Sequence, residues 1–474
     1  MISNNQPLCV DLDGTLVATD TLWESVLLLL KHHFWLCFWL PFWVMRGKAH
    51  LKDKIAQHVT LNVALLPYRE NVLAFLQNEQ TKGRKLVLAT AAHEKIAQAV
   101  AQHLKLFDEV IASDAHINMK GATKRDALQQ RFGVYDYMGD SQADLPLFQA
   151  AAQAFLVAPS TTLLKKTPCP PERVFLAPKT TWWVGLKALR PHQWVKNSLV
   201  FLPLLLSHQF LDFNKLGDAF LAALVFSLAA SSGYILNDLL DLAADRIHPS
   251  KKYRPFACGQ IPIPYGLFMF VALIGLSFSI SAWWLPAGFT GMVGLYFLIT
   301  MTYSFYFKQK VVLDVIVLAG LYTHRIFAGG IAVTVPISSW LLGFSMFIFI
   351  SLALLKRYTE LLQLMDNQKL IKSRGYEIAD IEMIASIGPT SGYLAVLVFS
   401  LYINSEAVSK LYDSPFILWL ISPLLLYWIT RVWFLAHRRQ MLDDPVQFAL
   451  IDRTSWFIII CIGLLILLAK LLPS

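Results

Sequence analysis

Between residues 197 and 472 the chain is a succession of apolar segments, and this limits the fold more than any other feature. They fall at about 197–213, 217–238, 264–285, 287–307, 312–333, 338–356, 385–404, 415–435 and 453–472. In hydrocarbon every backbone N–H and C=O must be satisfied within the chain, so segments of this kind fold as helices. About 20 apolar residues in a helix cross a core ~30 Å thick. The nine segments therefore predict an all-α polytopic membrane bundle of about nine transmembrane helices, with the shortest, carrying Pro203, the least regular. The loops alternate in charge. Arg246, Lys251, Lys252 and Arg254 share one loop, Lys308 and Lys310 a second, Lys356, Arg357, Lys369, Lys372 and Arg374 a third, and Arg438 and Arg439 a fourth. The intervening WWLPAGF and TVPISSW carry no Lys or Arg. Basic loops stay on the cytosolic side. The expectation is a multi-pass protein of the inner membrane with its charged loops in the cytosol and, from an odd number of spans, its C-terminus outside.

Only 15% of the residues are charged and 56% are hydrophobic, against about a quarter charged in a soluble domain. The excess is uneven, because residues 1–20 and 70–158 read as ordinary soluble protein. Two domains follow. The net charge of +9 is spread over short loops rather than gathered in one stripe, which argues against nucleic acid and suits membrane topology plus a polyanionic substrate. The five cysteines are scattered without a CxxC pair and read as reduced bystanders. No signal-peptide pattern precedes the strand-like PLCVDLDGTL, so the first domain is expected in the cytosol.

That first strand ends in Asp11, Asp13, Gly14 and Thr15. Two acids one residue apart lie on the same side of the pleat, where they can share Mg²⁺. A second strand, KLVLAT, ends at Thr90, and a third, YDYMGDSQADL, delivers Asp140 and then Asp144. Lys120 and Lys124 lie between them. Polar groups at the C-terminal ends of several strands mark the ligand site of an open α/β sheet.

DxDGT, a strand ending in Thr, a Lys, and GDxxxD, in that order, resemble the haloacid-dehalogenase phosphatase superfamily over residues 1–158. The resemblance implies a Rossmann-like α/β domain with a small helical cap inserted at about residues 21–84. It implies Asp11 as the nucleophile and Asp13 as general acid/base, with Thr90 and Lys120 on the phosphoryl oxygens and Lys124 as the alternative lysine. Asp11, Asp13, Asp140 and Asp144 would hold Mg²⁺. A carboxylate nucleophile divides hydrolysis into two easier steps. The cap contains FWLCFWLPFWVM, Phe34–Met45, too short to span but rich in aromatic residues, and is expected to rest on the membrane interface.

Residues 159–190 are predicted to be a Pro-rich linker ending in an interfacial helix that carries Trp182 and Trp183. Beyond them, NDLLDLAADRIHPSKKYRP puts Asn237, Asp238, Asp241 and Asp245 at the mouth of an apolar segment. At helical spacing they share one face and offer oxygen ligands to Mg²⁺, while Lys251, Lys252 and Arg254 can neutralise a diphosphate. Charge at bilayer depth usually marks a site.

NDxxDxxxD followed by HPxKxxRPxxxG resembles the UbiA superfamily of intramembrane transferases, over roughly residues 185–474. Most of that family carries a second pair of acids in a later loop. Here that region, YSFYFKQKVVLDVIVLAGLYTHRIFAGG, offers Tyr303, Lys308, a lone Asp314 and Arg325. LRPHQWVKN, YSxxFKxxxxLDV, HRIFAGG, KRYTEL and DDPVQFALIDR are similar to one branch, the decaprenyl-phosphate phosphoribosyltransferases. The branch implies phosphoribosyl pyrophosphate as donor and a polyprenyl phosphate as acceptor. Lys251, Arg254, Tyr303, Lys308, Asp314, Arg325, Lys356 and Arg357 are then the substrate-binding candidates. The domain pairing suggests two successive steps, transfer of a phosphoribosyl group and removal of its 5-phosphate. Two other readings stay open: a prenyltransferase with a prenyl diphosphate donor and an aromatic or quinone-precursor acceptor, and a regulatory phosphatase merely tethered by its spans.

Overall fold

The computed structural model describes residues 6–167, 169–177, 181–366, 375–441 and 445–472. It divides into two compact units, Met1–Leu189 with Tyr234–Phe270, and Arg190–Gly233 with Val271–Ser474.

In the first unit, six strands form one parallel sheet: β1 Leu8–Val10, β2 Leu86–His93, β3 Glu109–Ser113, β4 Asp136–Gly139, β5 Ala154–Val157 and β6 Val174–Phe175. Their order is β3-β2-β1-β4-β5-β6. β1 is apolar at every position because helices cover both faces of a parallel sheet. Leu8 and Val10 enter one buried cluster with Val72 and Leu76. Cys9 enters the opposite one with Leu128 and Leu147. Each fully buried Leu or Val contributes roughly 1.5–3 kcal/mol relative to exposure. A buried ionic cluster closes the N-terminal edge of the sheet. Arg84 donates from Nη1 to Glu79 at 2.8 Å and from Nη2 to Asp136 at the start of β4.

Of the range 21–84 expected as a cap, the helical part with its own core is Thr21–His32 (α1), a 3₁₀ turn at Phe34–Trp39, and helices Leu40–Met45 and Lys48–His58, whereas the helix Glu70–Thr81 packs on the sheet through Val72 and Leu76. Asp20 caps α1 by accepting from the N–H groups of Leu22 and Trp23. Leu29, Leu51 and Ile55 form its small core, joined by Leu36, Leu40 and Trp43. Most of the aromatic run faces outward, with Trp35 78% and Met45 84% exposed. The expected linker 159–190 is corrected in part. It contributes a helix at Thr161–Lys166 and then β6, where the Ala158 N–H donates to Phe175 O at 2.8 Å. β5 would otherwise be an edge, and two extended residues between prolines suffice to cover it. Pro168 and Pro178 of that stretch lie outside the described residues. A helix is present at Trp182–Leu189, within the stretch where one was expected, and its stacked Trp182 and Trp183 are exposed.

Eight helices among the described residues are long and apolar enough to cross a membrane: Phe213–Leu240, Ile263–Trp284, Ala287–Phe305, Leu313–Ala332, Ser339–Met365, Ile378–Ile403, Pro415–His437 and Arg453–Leu471. They correspond to eight of the nine expected segments. The first, 197–213, is not a continuous α-helix. It falls on a 3₁₀ helix, Pro191–Phe201, and a short α-helix, Leu202–Leu206. Pro191 and Pro203 stand at the first or second position of each, where a missing N–H costs least. Eight regular spans no longer supply the odd count on which the outside C-terminus rested. In the second unit small residues set the helix contacts. Gly388 meets the ring of Trp433 and Gly392 meets Ile429 so closely that a Cβ at either would collide. Lys369, Lys372 and Arg374, expected to mark a cytosolic loop, lie outside the described residues.

Candidate functional sites

The C-terminal ends of β1 and β4 are neighbours where the strand order turns back, the crevice in which open α/β sheets bind ligands. Asp11 follows β1. Its N–H donates to Met138 O of β4 at 3.0 Å, and its Oδ1 accepts from the Leu12 N–H at 2.8 Å. Asp140 follows β4 and accepts from the Thr15 hydroxyl at 3.3 Å. Gly14, at φ +75°, passes so close that a Cβ would collide with the Asp140 carboxylate. Asp144 sits in the next turn, accepting from Ser141 Oγ at 2.9 Å and Tyr137 Oη at 3.0 Å. Asp11, Asp140 and Asp144 bring ligand oxygens within 4.8 Å of one another. Among the described residues no other group of three acids, cysteines or histidines does so.

Lys124 is 1% exposed and completes this cluster. Its Nζ lies 3.1 Å from Asp11 Oδ2, 3.6 Å from Asp144 Oδ1 and 2.8 Å from Tyr137 Oη. Lys120, preferred from spacing, borders the same cavity but is exposed. The difference lies in the turn. Gly121 takes φ +57° and starts the helix Ala122–Phe132, so Lys124 falls in its first turn on the sheet side and Lys120 remains before the bend. Thr90, expected to end its strand, lies fully buried within β2, which runs on to His93, and its Oγ1 accepts from the Ala92 N–H. Asp13 is two residues beyond Asp11 and accepts from the Thr21 N–H at 2.8 Å.

Electrostatics follow from this crowding. Burial, with the charges of Asp11 and Asp144, pushes Asp140 up to about 7. Burial, with the charge of Asp20, pushes Asp13 up to about 8. Burial also raises Asp11, against the pull of Lys124. For Lys124, burial opposes the charge but Asp11 and Asp144 outweigh it, and the ammonium is held above its usual range. Three clustered carboxylates, Asp11 and Asp144 buried and Asp140 half-buried, with one lysine against two of them, are an acceptor set short of positive charge, which fits a hard divalent cation. A cavity of about 1480 Å³ contains these groups. Its lining also includes Leu40 and Val44 of the cap, and Pro264, Tyr265 and Met269 from the first two turns of Ile263–Trp284. Two cap-side cations beside this cavity escaped the sequence reading. Lys52 donates to Ala91 O and Asn118 Oδ1, and Arg69 donates to Gly14 O at 3.1 Å. Neither belongs to a recognisable spacing pattern; folding alone brings them to the sheet.

The second expected cluster lies in the same unit. The helix Phe213–Leu240 ends one residue before Asp241, and Leu242–Ile247 starts one residue after it. Asn237, Asp238, Asp241 and Asp245 therefore follow a bend rather than one straight helix face. Arg254 Nη1 bridges Asp238 Oδ1 at 3.1 Å and Asp245 Oδ2 at 2.6 Å. It was expected to face phosphate and is instead held by the acids. Burial pushes Asp245 up, against the nearby Arg254. Asp241 Oδ1 accepts from Lys31 Nζ of the cap at 3.1 Å. Lys251 is half-buried in the 3₁₀ turn Lys251–Tyr253.

In the second unit the remaining candidates separate into two groups. Asp314 accepts from Tyr376 Oη at 2.7 Å and pairs with Arg357 Nε at 2.8 Å, with all of this buried. Arg325 does not pair with Asp314. It donates to Asn197 Oδ1 at 2.9 Å, Leu321 O at 2.7 Å and Tyr296 Oη at 3.1 Å, and its guanidinium lies over the Tyr322 ring. Lys196, also buried, lies over the same ring at 5.9 Å. Lys196 and Asn197 were not read as site residues, although an Asn-Lys pair entering an apolar segment was a visible signal. Tyr303 and Lys308 are buried at the end of Ala287–Phe305 and in the turn after it, and Lys356 is half-buried next to Arg357.

Comparison with known proteins gives two family matches, the UbiA prenyltransferase family over residues 199–468 and haloacid dehalogenase-like hydrolase over residues 8–149. An uncharacterized protein of Sinorhizobium fredii is 36% identical over 461 residues, covering 95% of this chain and 89% of its own. Nodulation protein NoeC of Azorhizobium caulinodans is 35% identical over 287 residues, 60% of this chain and 92% of its own. Decaprenyl-phosphate phosphoribosyltransferase of Mycolicibacterium smegmatis is 36% identical over 180 residues, 37% of this chain and 56% of its own, so the match spans about half of that protein. The chain belongs to the UbiA prenyltransferase family and carries an N-terminal haloacid dehalogenase-like domain.

Proposed function

We propose that this multi-pass membrane protein transfers the 5-phosphoribosyl group of phosphoribosyl pyrophosphate to a polyprenyl phosphate, and that its N-terminal phosphatase then removes the 5-phosphate, both at the cytosolic face of the inner membrane. In the first step a lipid phosphate oxygen bonds to C1 of the donor, the C1–O bond to the diphosphate breaks, and pyrophosphate leaves with the bonding pair. The lipid phosphate is already anionic at neutral pH and needs no strong base. Asn237, Asp238, Asp241 and Asp245 are assigned to Mg²⁺, since Asp238 and Asp245 already share one positive group. Lys251, Tyr303, Lys308, Arg325 and Lys356 are assigned to the donor's phosphates, while Arg254 is held by Asp238 and Asp245. Asp314 and Arg357 are committed to each other and act by fixing the helices that carry them. The support for the donor is the 36% identity to decaprenyl-phosphate phosphoribosyltransferase.

In the second step Asp11 attacks the phosphorus and the sugar oxygen departs with the bonding pair. Asp13, which burial keeps largely protonated, donates a proton to that oxygen. Lys124 and Thr90 hold the phosphoryl oxygens, and water then releases phosphate from Asp11. Mg²⁺ bound by Asp11, Asp140 and Asp144 would neutralise phosphoryl charge. The observation that carries the pairing of the two steps is the cavity. One continuous space is lined both by Asp11, Asp140 and Lys124 and by the opening turns of a membrane-spanning helix, so a phosphate on a lipid-linked sugar can reach the acids. Supplying the purified protein with labelled phosphoribosyl pyrophosphate, polyprenyl phosphate and Mg²⁺ tests the reading, and label is expected in lipid. Turnover of geranyl or farnesyl diphosphate with an aromatic acceptor would replace it with the prenyltransferase reading, and no transfer of either kind with intact hydrolysis would leave a tethered phosphatase.

A further inference from the structure

We infer that Lys31, a residue of the phosphatase cap, belongs to the donor site of the transferase. This rests on the reading of Asp241 as a ligand of the donor's Mg²⁺. Lys31 occupies the last turn of α1, and its ammonium bonds twice to the aspartate-rich segment, to Leu240 O at 2.9 Å and to Asp241 Oδ1 at 3.1 Å. An ammonium has three N–H donors. Two are used here, and the side chain keeps 27% exposure, so the third is available to an anion arriving at Asp241. A diphosphate held by a cation on Asp241 would meet that proton.

The contact is anchored, not incidental. One face of α1 bears a second attachment two turns earlier, where Glu24 takes both Nη1 and Nη2 of Arg246, at 3.0 and 2.5 Å. That pair is buried on both sides, and Arg246 also donates to Ala257 O at 2.9 Å. Twelve helical residues span roughly 18 Å, and the two attachments fix both the height and the rotation of α1 against Asp241–Arg246. The N-terminus of the same helix is equally committed, since the Thr21 N–H donates to Asp13 Oδ1. One rigid helix thus ends at the phosphatase acid and at the transferase aspartate. Sequence spacing gives no sign of this, because Lys31 and Asp241 are 210 residues apart.

The test measures donor binding rather than turnover. Equilibrium dialysis of labelled phosphoribosyl pyrophosphate with Mg²⁺ is run on the full-length protein, its Lys31→Met and Lys31→Arg variants, and Asp241→Ala, with p-nitrophenyl phosphate hydrolysis as the control for folding. Lys31→Met is expected to weaken binding at least about tenfold, the loss of one hydrogen bond to a charged group. Lys31→Arg should keep most of the affinity, and hydrolysis should stay within about twofold in both. Unchanged affinity in Lys31→Met alongside weakened binding in Asp241→Ala overturns the role of Lys31 alone. Unchanged affinity in Asp241→Ala overturns the donor-site reading beneath it. Should Lys31→Met also lose hydrolysis, Lys31→Gln against Lys31→Arg decides: affinity that follows charge upholds the inference, and affinity indifferent to charge overturns it.

Discussion

Replacing Lys124 by alanine separates the structural assignment of the phosphatase lysine from the one read by spacing. The ammonium is 1% exposed and makes charge-assisted contacts to Asp11 at 3.1 Å and Asp144 at 3.6 Å, plus a hydrogen bond with Tyr137. Its loss removes a preorganised cation from the phosphoryl oxygens, and one such donor is worth about 2.7–4 kcal/mol, or 10²–10³ in kcat. It also leaves two buried carboxylates without their partner, which costs about 3–5 kcal/mol of stability when one member of a buried pair is deleted. Mg²⁺ can offset part of that second loss but not the first. Initial rates of p-nitrophenyl phosphate hydrolysis, with thermal unfolding followed in and out of Mg²⁺, measure both. Lys124→Ala should lose at least about two orders of magnitude in kcat and regain stability with Mg²⁺. Lys120→Ala, at an exposed position on the rim, should stay within about threefold, the scale of a surface change. A collapse of activity in Lys120→Ala with Lys124→Ala intact would refute the assignment.

Three further outcomes follow from the same contacts. Asp238→Ala should abolish transfer of label to lipid while hydrolysis of p-nitrophenyl phosphate persists, because it removes a proposed metal ligand from one site only; near wild-type transfer in Mg²⁺ would end that assignment. Arg84→Ala should lower stability by about 3–5 kcal/mol, read by chemical denaturation, since Glu79 and Asp136 would be left buried without their shared cation. Lys308→Ala should weaken donor binding by roughly 1.5–3 kcal/mol and lipid binding much less, with an analogue lacking the 5-phosphate insensitive to the change.

Much of both sites was legible because the chemistry left short local patterns. A strand buried on two faces must be apolar throughout, so the LCV run of β1 ending in Asp11 was visible, and GDSQAD following β4 placed Asp140 and Asp144 beside it. The eight regular spans were visible for the same reason, since lipid leaves helices little alternative. What escaped depends on backbone direction and on distant partners. The choice between Lys120 and Lys124 turns on Gly121, whose positive φ starts the helix that carries Lys124 and leaves Lys120 before it. β6 is two residues long and exists because β5 offers it an edge. The segment 197–213 reads as the shortest and least regular span, because apolar composition does not reveal that its first residues continue a 3₁₀ helix begun at Pro191. Arg254 was assigned to phosphate because its acid partners lie 16 and 9 positions away, across a bend that spacing does not reveal.

The central claim, two successive reactions on one lipid-linked sugar, is tested most directly by the mass of the product. Wild-type protein and Asp11→Asn are each given phosphoribosyl pyrophosphate, polyprenyl phosphate and Mg²⁺ in proteoliposomes, and the lipids are extracted and weighed by mass spectrometry. A carboxamide cannot take the phosphoryl group, so Asp11→Asn is expected to accumulate polyprenyl-phosphate ribose still bearing its 5-phosphate. Wild type is expected to yield the species lighter by that phosphate. The same lipid in the same amount from both proteins would contradict the account.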